Sequence, residues 1–310
     1  MSTTSADVLQ GIAGLRVERD VSLASYTTYR IGGPADAVAH PTSVELVTAV
    51  IRRATDEGVP WIALGLGSNV LVADSGFRGV VVRVGRGLDD IARSVDGDPS
   101  RWRIGAGVPT PRLARLTAAA GLQGLQRLVG VPGAVGGGVV MNAGAHGQDF
   151  SQVTEMVEVV APDGSLRSVA GSALPWRYRD AGVPVGVVVA ATVRLEDGDR
   201  RELEADIQRH FQWRKSGTPF NERCCGSVFR NPPADAVDPE GPRTAGQLID
   251  AAGLKGFRVG DAQVSHKHAN YIVNLGSATA ADVRAVIDGV RDTVARVFGV
   301  ELILEVKSIP

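Results

Sequence analysis

A serine that follows a glycine is the first residue in this sequence with a pattern suited to chemistry. Ser227 lies in the segment 225–232, Cys-Gly-Ser-Val-Phe-Arg-Asn-Pro, where its side chain can reach a pocket at a strand edge. A serine hydroxyl can donate a proton if nearby cations stabilise the alkoxide and it is rapidly reprotonated. Phe229 replaces the second glycine of a GxSxG elbow, so a hydrolase triad is not indicated. For Ser227 alone, a hydroxyl in a turn is the simpler interpretation.

Two charged residues could support the same kind of reaction. Glu305 stands between two apolar residues of a predicted terminal strand. Burial there would favour its neutral, protonated form unless it is paired. The pattern also allows Glu305 to face solvent from an edge strand. Arg179 is most simply an ion-pair partner of the adjacent Asp180.

A glycine-rich segment at residues 130–147 could hold a ligand through its backbone. It contains seven glycines, alternating with Val, Ala and Met, whereas a flexible linker would be polar and Ser-rich. Glycine lets the backbone approach a ligand closely, and its bare N–H groups can bind a pyrophosphate. Two interpretations stay open: a nucleotide cofactor lies against this segment, or the segment is a tight turn between buried elements.

A second glycine segment, residues 65–69, follows a predicted strand as a dinucleotide-binding loop does. Val70 stands where the third glycine of GxGxxG would be, so a Rossmann fingerprint is not indicated. The sequence also lacks a GxxxxGK[ST] phosphate loop. We therefore expect a cofactor held by the backbone of several segments, with residues 29–36 as a possible third contact.

Hydrophobic periodicity predicts the elements that must position these residues. A helix is expected over residues 42–57 with a capping box at Thr42, and a long helix follows a capping box at Thr279 with Val297 facing inward. Shorter helices are expected at 111–121, 201–215 and 245–252, and strands at 61–64, 80–84, 156–160, 187–195, 270–274 and 301–309, with a turn at 163–164 between the strands at 156–160 and 187–195. Only two clear helices interrupt the strands before residue 200, so an α+β fold is predicted rather than a regular βαβ repeat.

Composition limits the class of protein. The chain has 310 residues, enough for two or three domains, and a composition shift near residue 200 suggests a boundary. With 33 basic and 34 acidic residues and no basic tract, nucleic acid and membranes are not expected partners. The adjacent Cys224 and Cys225 fit small apolar fillers in a reducing cytoplasm, and no metal site is predicted. Residues 1–15 lack the pattern of a secretory signal, and the apolar runs are too short to span a bilayer.

Several segments together resemble the UDP-N-acetylenolpyruvoylglucosamine reductase family. Each is weak alone, but they occur in the order of the family and cover roughly residues 20–308. They are residues 26–36, 64–71, 130–137, 141–145, 178–180, 226–232, 245–249, 253–256, 264–270 and 304–306. The chain resembles the shorter, type II branch, because it has no insertion between 179 and 193. It departs from the family pattern at 218–225 and at Gly138.

The resemblance implies an α+β fold with an FAD-binding region of the p-cresol-methylhydroxylase type. That region would comprise subdomains at residues 1–84 and 85–200. A substrate-binding domain at 201–310 would follow, with its final strand, 301–310, packing near the flavin.

The resemblance also implies a reaction in peptidoglycan precursor synthesis. NADPH reduces FAD and leaves, and UDP-N-acetylglucosamine enolpyruvate takes its place and receives hydride. Ser227 matches the proton donor, and Arg179 and Glu305 match residues that stabilise the negative charge on the substrate. The implied protein is a cytoplasmic monomer whose partner is a small UDP-sugar. Two other readings stay open: an FAD-dependent alcohol or sugar oxidoreductase of the same domain type, or a nucleotide-binding protein without activity.

The resemblance assigns the remaining site residues in two groups. Cofactor contacts are implied for Tyr29, Gly32, Gly65, Gly67, Ser68, Asn69, Val70, Leu71, Gly133, Val135, Gly136, Gly137, Met141, Asn142, Ala143, Gly144, Ala145 and Arg214. Contacts with the sugar nucleotide or its phosphates are implied for Tyr178, Asn231, Lys255, His268 and Asn270.

Overall fold

A computed structural model describes residues 5–238 and 240–310, and the chain divides into two compact units. The first unit comprises Met1–Val21, Ala35–Leu66 and Arg78–Trp213, and the second comprises Ser22–Pro34, Gly67–Phe77 and Arg214–Pro310. Each unit is a mixture of helices and strands around its own apolar core, so the predicted α+β class is confirmed. The finer division into 1–84, 85–200 and 201–310 stays a prediction.

The strands are numbered in chain order. They are β1 Arg16–Ser22, β2 Pro34–His40, β3 Trp61–Leu64, β4 Val70–Val72, β5 Phe77–Arg83, β6 Ile91–Ala92, β7 Arg101–Gly105, β8 Leu122–Gln123, β9 Gly144–Ala145, β10 Gln148–Asp149, β11 Thr154–Val160, β12 Leu166–Ala170, β13 Val187–Arg194, β14 Glu196–Asp197, β15 Arg258–Val259, β16 Ala262–Val264, β17 Ile272–Asn274 and β18 Lys307–Ile309. The α-helices are α1 Val44–Asp56, α2 Thr110–Ala119, α3 Val135–Val140, α4 Arg200–Gly217, α5 Ala245–Ala251 and α6 Ala280–Phe298.

The first unit contains two short two-stranded pairs, β8 with β14 and β9 with β10, and two larger sheets. One has the strand order β1-β2-β5-β3, and β3 pairs in parallel with β5. The other has the order β12-β11-β13-β7-β6, with antiparallel neighbours. β13 is buried at seven of its eight positions, which explains why it reads as a nearly continuous apolar run of Val and Ala.

The second unit contains a three-stranded sheet and a two-stranded pair. The sheet has the order β15-β16-β17, and β4 pairs in parallel with β18 from the end of the chain. α6 packs its apolar face into the core of this unit. The carboxylate of Asp74 accepts hydrogen bonds from the free N–H groups of Ala280 and Ala281 at 2.7 and 3.0 Å, in addition to the predicted capping box at Thr279, which is confirmed.

Three local predictions about the helices are corrected. The cap of α1 is Ser43, whose hydroxyl accepts from Leu46 N–H, and not Thr42. Val297 is 54% exposed, because it lies near the end of α6, beyond the last buried turn. The glycine segment at 130–147 contains a helix, α3, that its glycine content concealed.

Two strand predictions are also corrected. β11 and β13 form where predicted, but the turn at 163–164 leads from β11 into β12 and not into β13. β12 escapes a pattern search because four of its five residues are exposed. The predicted strand at 301–309 is short, β18 at 307–309, because residues 301–306 make only a single bridge, between Phe229 and Leu304.

The described residues contain neither a membrane-spanning helix nor a cluster of metal-binding side chains. None of their helices combines the length and apolarity needed to cross a bilayer. Residues 5–238 and 240–310 also contain no group of three or more His, Cys, Asp or Glu side chains arranged to bind a metal ion. The expectation about residues 1–15 lies partly outside the described chain.

Candidate active site

The glycines of α3 divide its surface into a packed side and an open side. A Cβ at Gly136 would lie 2.8 Å from the Cβ of Ala106, and one at Gly138 would lie 2.5 Å from Cε2 of Phe150. Both positions therefore need glycine for close packing within the first unit. Gly137 is exposed, and a Cβ there would meet no atom within 4 Å. This helix thus presents bare backbone to open space at Gly137.

The loop after β3 lies beside the start of this glycine helix. A Cβ at Gly65 would have the Cβ of Ala134 as its nearest neighbour, at 4.0 Å. Two of the predicted cofactor segments are therefore brought together within the first unit. The space next to the backbone is open at Gly65 and at Gly137. A ligand could therefore contact the backbone there without a steric clash.

The segment after α3 is connected to the turn that carries Arg179. The buried amide of Asn142 donates to the carbonyl of Arg177 at 3.3 Å. The guanidinium of Arg179 donates to the carbonyl of Gly144 at 3.4 Å and lies 4.7 Å from the centre of the Tyr178 ring. The structure therefore places Arg179 against the glycine segment, with the half-exposed ring of Tyr178 beside its guanidinium.

In the second unit, Gly67 occupies a position that only glycine fits. Its φ is +64°, and a Cβ there would lie 2.1 Å from the carbonyl oxygen of Tyr26. Thr28 holds the loop by donating its N–H and Oγ1 hydrogen to the Gly67 carbonyl at 3.1 and 3.3 Å. Gly32, also at positive φ, would place a Cβ 2.9 Å from the Cβ of Val72. These two glycines are required by the fold of the loop.

Tyr29 is directed into the core rather than into open space. Its ring is 1% exposed, and its buried hydroxyl has no hydrogen-bond partner among residues 5–238 and 240–310. Its carbonyl accepts from the amide of Asn274 at 2.9 Å. Burial raises the pKa of Tyr29 well above its ordinary value. The side chain therefore has a structural part in this loop, and a cofactor contact at Tyr29 stays a prediction.

Hydrogen bonds connect the predicted cofactor loop at 67–71 to the segment that carries Glu305, and that segment to the one that carries Ser227. The amide of Asn69 donates to the carbonyl of Glu305 at 3.2 Å, and the N–H of Lys307 donates to the carbonyl of Asn69 at 3.0 Å. The N–H of Glu305 donates to the carbonyl of Val228 at 2.8 Å. Glu305 is half-buried here, next to the residue that follows Ser227.

Asn270 holds the backbone after Ser227 in place. Its carbonyl accepts from Val228 N–H at 2.9 Å, its Oδ1 accepts from Phe229 N–H at 2.9 Å, and its Nδ2 donates to the Phe229 carbonyl at 2.8 Å. The side chain is 4% exposed. The structure thus gives Asn270 a supporting function, and the predicted contact with substrate is untested.

Tyr271 is a residue that the sequence analysis missed. It is 3% exposed, and burial raises the pKa of its phenol. Its ring centre lies 4.9 Å from that of His268 and 5.5 Å from the guanidinium carbon of Arg214. In the sequence, Tyr271 is the one hydroxyl-bearing side chain of the segment 270–274 and stands next to the apolar Ile272 and Val273.

Arg214 supplies the positive charge of this cluster, and His268 adds a neutral ring. Burial and then the charges of Arg214 and Lys255 lower the pKa of His268, so its imidazole stays neutral at neutral pH. Its Nδ1 accepts from the N–H of Asn270 at 3.2 Å. Nε of Arg214 is buried and, within residues 5–238 and 240–310, has no hydrogen-bond partner. That N–H can therefore bind an anion.

The other two predicted substrate residues make structural contacts. Nζ of Lys255 lies 2.6 Å from a carboxylate oxygen of Asp250, and Oδ1 of Asn231 accepts from Ala245 N–H at the start of α5. Both residues keep additional hydrogen-bonding capacity, because an ammonium has three donors and an amide also has an NH₂ group.

The two cysteines are protonated thiols. Burial raises the pKa of Cys224 to about 11 and raises that of Cys225 further. Cys225 is fully buried in the core of the second unit. Since the thiolate is the reactive form, neither residue has the environment of a nucleophile.

Two family models match the chain. The FAD binding domain matches residues 35–170, and the UDP-N-acetylenolpyruvoylglucosamine reductase C-terminal domain matches residues 218–309. The first match contains Gly65, α3 and the segment 141–145. The second contains Ser227 and Glu305.

The chain is similar over nearly its whole length to proteins called UDP-N-acetylenolpyruvoylglucosamine reductase. That of Halalkalibacterium halodurans is 41% identical over 93% of this chain and 92% of its own length. That of Heliobacterium modesticaldum is 43% identical over 93% and 88%, respectively. The crystal structure of UDP-N-acetylenolpyruvylglucosamine reductase from Thermus caldophilus is 35% identical, covers 96% of this chain and 100% of its own, and superposes with a TM-score of 0.81.

Proposed function

This chain belongs to the UDP-N-acetylenolpyruvoylglucosamine reductase family, and from that premise we propose how its own residues serve the reaction. The protein is an FAD-dependent oxidoreductase that uses NADPH to reduce UDP-N-acetylglucosamine enolpyruvate to UDP-N-acetylmuramate. The observation that best supports the residue roles is the hydrogen-bonded connection from Asn69 through Glu305 to the backbone of Val228.

The residues present fit a flavin nucleotide. The space that a Cβ would fill at Gly65 and Gly137 allows a flat ligand to contact backbone directly, and the unpartnered Nε of Arg214 suits an anionic group. When bound, FAD accepts hydride from NADPH and supplies it to the substrate double bond. The proposed contacts are the eighteen residues assigned by the resemblance, with Gly67 and Gly32 acting through the loop shape they permit.

Ser227 is the proposed proton donor. Its O–H bond breaks as a C–H bond forms at the substrate carbon next to the carboxylate, while the other carbon of the double bond receives hydride. Water then returns a proton to the Ser227 alkoxide. Arg179 and Glu305 are proposed to stabilise the negative charge that develops on the substrate carboxylate, Arg179 as a cation and Glu305 as a neutral hydrogen-bond donor.

The sugar nucleotide is the proposed ligand of Tyr178, Asn231, Lys255, His268 and Asn270. Lys255 offers an ammonium group for a phosphate, and the neutral His268 offers a ring N–H. We also propose that the protein is a cytoplasmic monomer without nucleic-acid or membrane partners. Size-exclusion chromatography with light scattering tests the monomer, because a dimer would elute with twice the 32.4 kDa chain mass.

Anaerobic half-reactions test the function. NADPH should bleach the flavin absorbance of the purified protein, and UDP-N-acetylglucosamine enolpyruvate should restore it with formation of UDP-N-acetylmuramate. UDP-N-acetylglucosamine, which lacks the enolpyruvyl group, is the matched control and should restore nothing. Reoxidation by oxygen alone, with no response to the enolpyruvyl substrate, would reject the assignment in favour of an alcohol or sugar oxidoreductase.

A further inference from the structure

The glycine segment of the first unit ends in a short β-hairpin, residues 144–149. Its strands are β9 and β10, and the two residues between them, His146 and Gly147, form the turn. Both turn residues have positive φ, +54° and +79°, as in a type I′ turn. A histidine seldom adopts this conformation unless the surrounding structure holds it there. The contacts around His146 therefore help to fix where the hairpin lies.

Arg127 binds both the turn and the second strand of this hairpin. Its guanidinium donates to the carbonyl of His146 at 3.0 Å, and its backbone N–H donates to Oε1 of Gln148 at 2.9 Å. Its Nε lies 3.3 Å from Oδ2 of Asp206 in α4. Arginine suits this arrangement, because its planar fork presents several N–H groups in fixed directions. One guanidinium thus connects the turn of the hairpin to the helix.

Asp206 is the buried anion that anchors Arg127. It is 8% exposed, and its Oδ1 lies 2.6 Å from the guanidinium of Arg209 and 3.1 Å from Nε2 of His210. Burial works against the charge of Asp206, but the hydrogen bonds from Arg209 and Arg127 lower its pKa below the ordinary value. Asp206 is therefore a carboxylate at neutral pH, and its Oδ2 is the oxygen that faces Arg127.

A ring contact joins the same turn to α4. The imidazole of His146 lies against that of His210, with ring centres 4.1 Å apart and an interplanar angle of 34°. It also meets the ring of Trp213 at 4.7 Å, nearly at a right angle. The turn is thus held against α4 twice, through the side chain of His146 and, by way of Arg127, through its carbonyl.

The first strand of the hairpin contacts Arg179. The carbonyl of Gly144 accepts from the guanidinium of Arg179 at 3.4 Å. One residue, Ala145, separates Gly144 from His146, and each strand of the hairpin is two residues long. A shift of the turn would therefore carry the Gly144 carbonyl with it and change the position of the Arg179 guanidinium.

We propose that Arg127 is a positioning residue for the reduction of the enolpyruvyl substrate. Anchored on Asp206, it holds the hairpin so that the Gly144 carbonyl orients Arg179 and the backbone of residues 144–145 lies at the flavin. Arg127 acts through the hairpin and not on the reacting atoms. This inference rests on the proposed places of residues 144–145 beside FAD and of Arg179 beside the substrate.

Arg127→Met tests the proposal. It removes the guanidinium bonds to His146 and Asp206 but keeps an unbranched side chain and the backbone bond to Gln148. The visible absorbance spectrum of the bound flavin should shift, because the backbone dipoles beside it move. Anaerobic reoxidation by UDP-N-acetylglucosamine enolpyruvate should slow about 10- to 100-fold. KM should change less than about threefold, because Arg179 acts on charge that develops in the transition state.

Arg209→Met is the matched control. It removes an equal charge from the same carboxylate, Asp206, and leaves the bonds between Arg127 and the hairpin in place. The bound-flavin spectrum should be that of the wild type, and the reoxidation rate should stay within about twofold of it. Equal effects of the two substitutions would show that the charge around Asp206 matters and not the hairpin, and would overturn the proposal.

A double-mutant cycle tests the route through Arg179. In an Arg179→Met background, Arg127→Met should slow reoxidation by less than a further factor of about two, because the group that it positions is gone. Equal slowing in both backgrounds would contradict this route. A wild-type protein that the substrate fails to reoxidise rejects the proposed function instead. A wild-type spectrum and rate in Arg127→Met, with normal wild-type turnover, reject this inference alone.

Arg127→Lys covers the case in which Arg127→Met does not fold. An ammonium keeps the charge beside Asp206, but it has no planar fork to bind that carboxylate and the His146 carbonyl together. The flavin spectrum should still shift, and reoxidation should slow about three- to tenfold. Wild-type values for both measurements would overturn the proposal.

Discussion

The side-chain amide of Asn69 donates a 3.2 Å hydrogen bond to the backbone carbonyl of Glu305, a residue 236 positions further along the chain. The return bond from Lys307 N–H to the Asn69 carbonyl begins the parallel pairing of β4 with β18. The loop assigned to the cofactor and the segment assigned to charge stabilisation therefore share one backbone network. A displacement of the loop at 67–69 would be transmitted to Glu305.

Removing the proposed proton donor should affect only one half-reaction. Ser227→Ala should reduce its flavin with NADPH at nearly the wild-type rate, and reoxidation by the enolpyruvyl substrate should slow by roughly 10²- to 10⁴-fold. Anaerobic stopped-flow absorbance measures both steps. Equal slowing of the two steps would show that Ser227 has another role.

The protonation of Glu305 can be tested with two substitutions. Glu305→Gln keeps a neutral hydrogen-bond donor at the same position, whereas Glu305→Ala removes it. If a neutral donor stabilises the substrate charge, the Gln variant should retain more of the reoxidation rate than the Ala variant. The opposite order, in single-turnover experiments with both variants folded, would argue against a protonated Glu305.

A substitution on the open face of α3 should weaken FAD binding without lowering the stability of the protein. Gly137→Ala meets no atom within 4 Å, and alanine favours the helix by about 1 kcal/mol, so thermal stability of the apoprotein should hold or rise. FAD affinity should fall about tenfold or more, because the methyl group occupies the space proposed for the cofactor. Titration of apoprotein with FAD, followed by flavin fluorescence, measures this loss.

Gly138→Ala is the matched control for that experiment. Its Cβ would lie 2.5 Å from Cε2 of Phe150, so the ring must move and unfolding should become easier by about 1–3 kcal/mol. Full FAD affinity in Gly137→Ala would mean that this face of α3 is not covered by the cofactor.

The thiol of Cys224 should react slowly with iodoacetamide at neutral pH. Burial raises its pKa from an ordinary 9.0 to about 11, so at pH 8 the thiolate fraction falls about a hundredfold. The alkylation rate should rise tenfold per pH unit up to pH 9.5 without a plateau. In guanidinium chloride, the unfolded protein should show its half-maximal alkylation rate near pH 9 and a plateau above about pH 10. A plateau in the folded protein would mean that Cys224 is less buried than its surroundings indicate.

Local sequence patterns predicted most helices and several strands. The capping box at Thr279 and the apolar spacing that follows it specify α6, because both signals act within a few residues. The ordered set of glycine, serine and glutamate motifs also identified the family without any tertiary information. Two incorrect predictions also concerned local features. The cap of α1 is Ser43 and not Thr42, and β12 was missed because its exposed residues show no apolar alternation.

The residue types and their order thus determined the family, the α+β class and which side chains are chemically competent. The tertiary structure alone decided which of them meet. The hydrogen bonds of Asn69 with Glu305, and those of Asn270 with Phe229, join segments separated by tens to hundreds of residues. Such contacts depend on strand pairing and on the burial of apolar surface, which no local periodicity encodes. For that reason no local pattern showed how Asn270 is used, and only the fold brought its side chain to the backbone that follows Ser227.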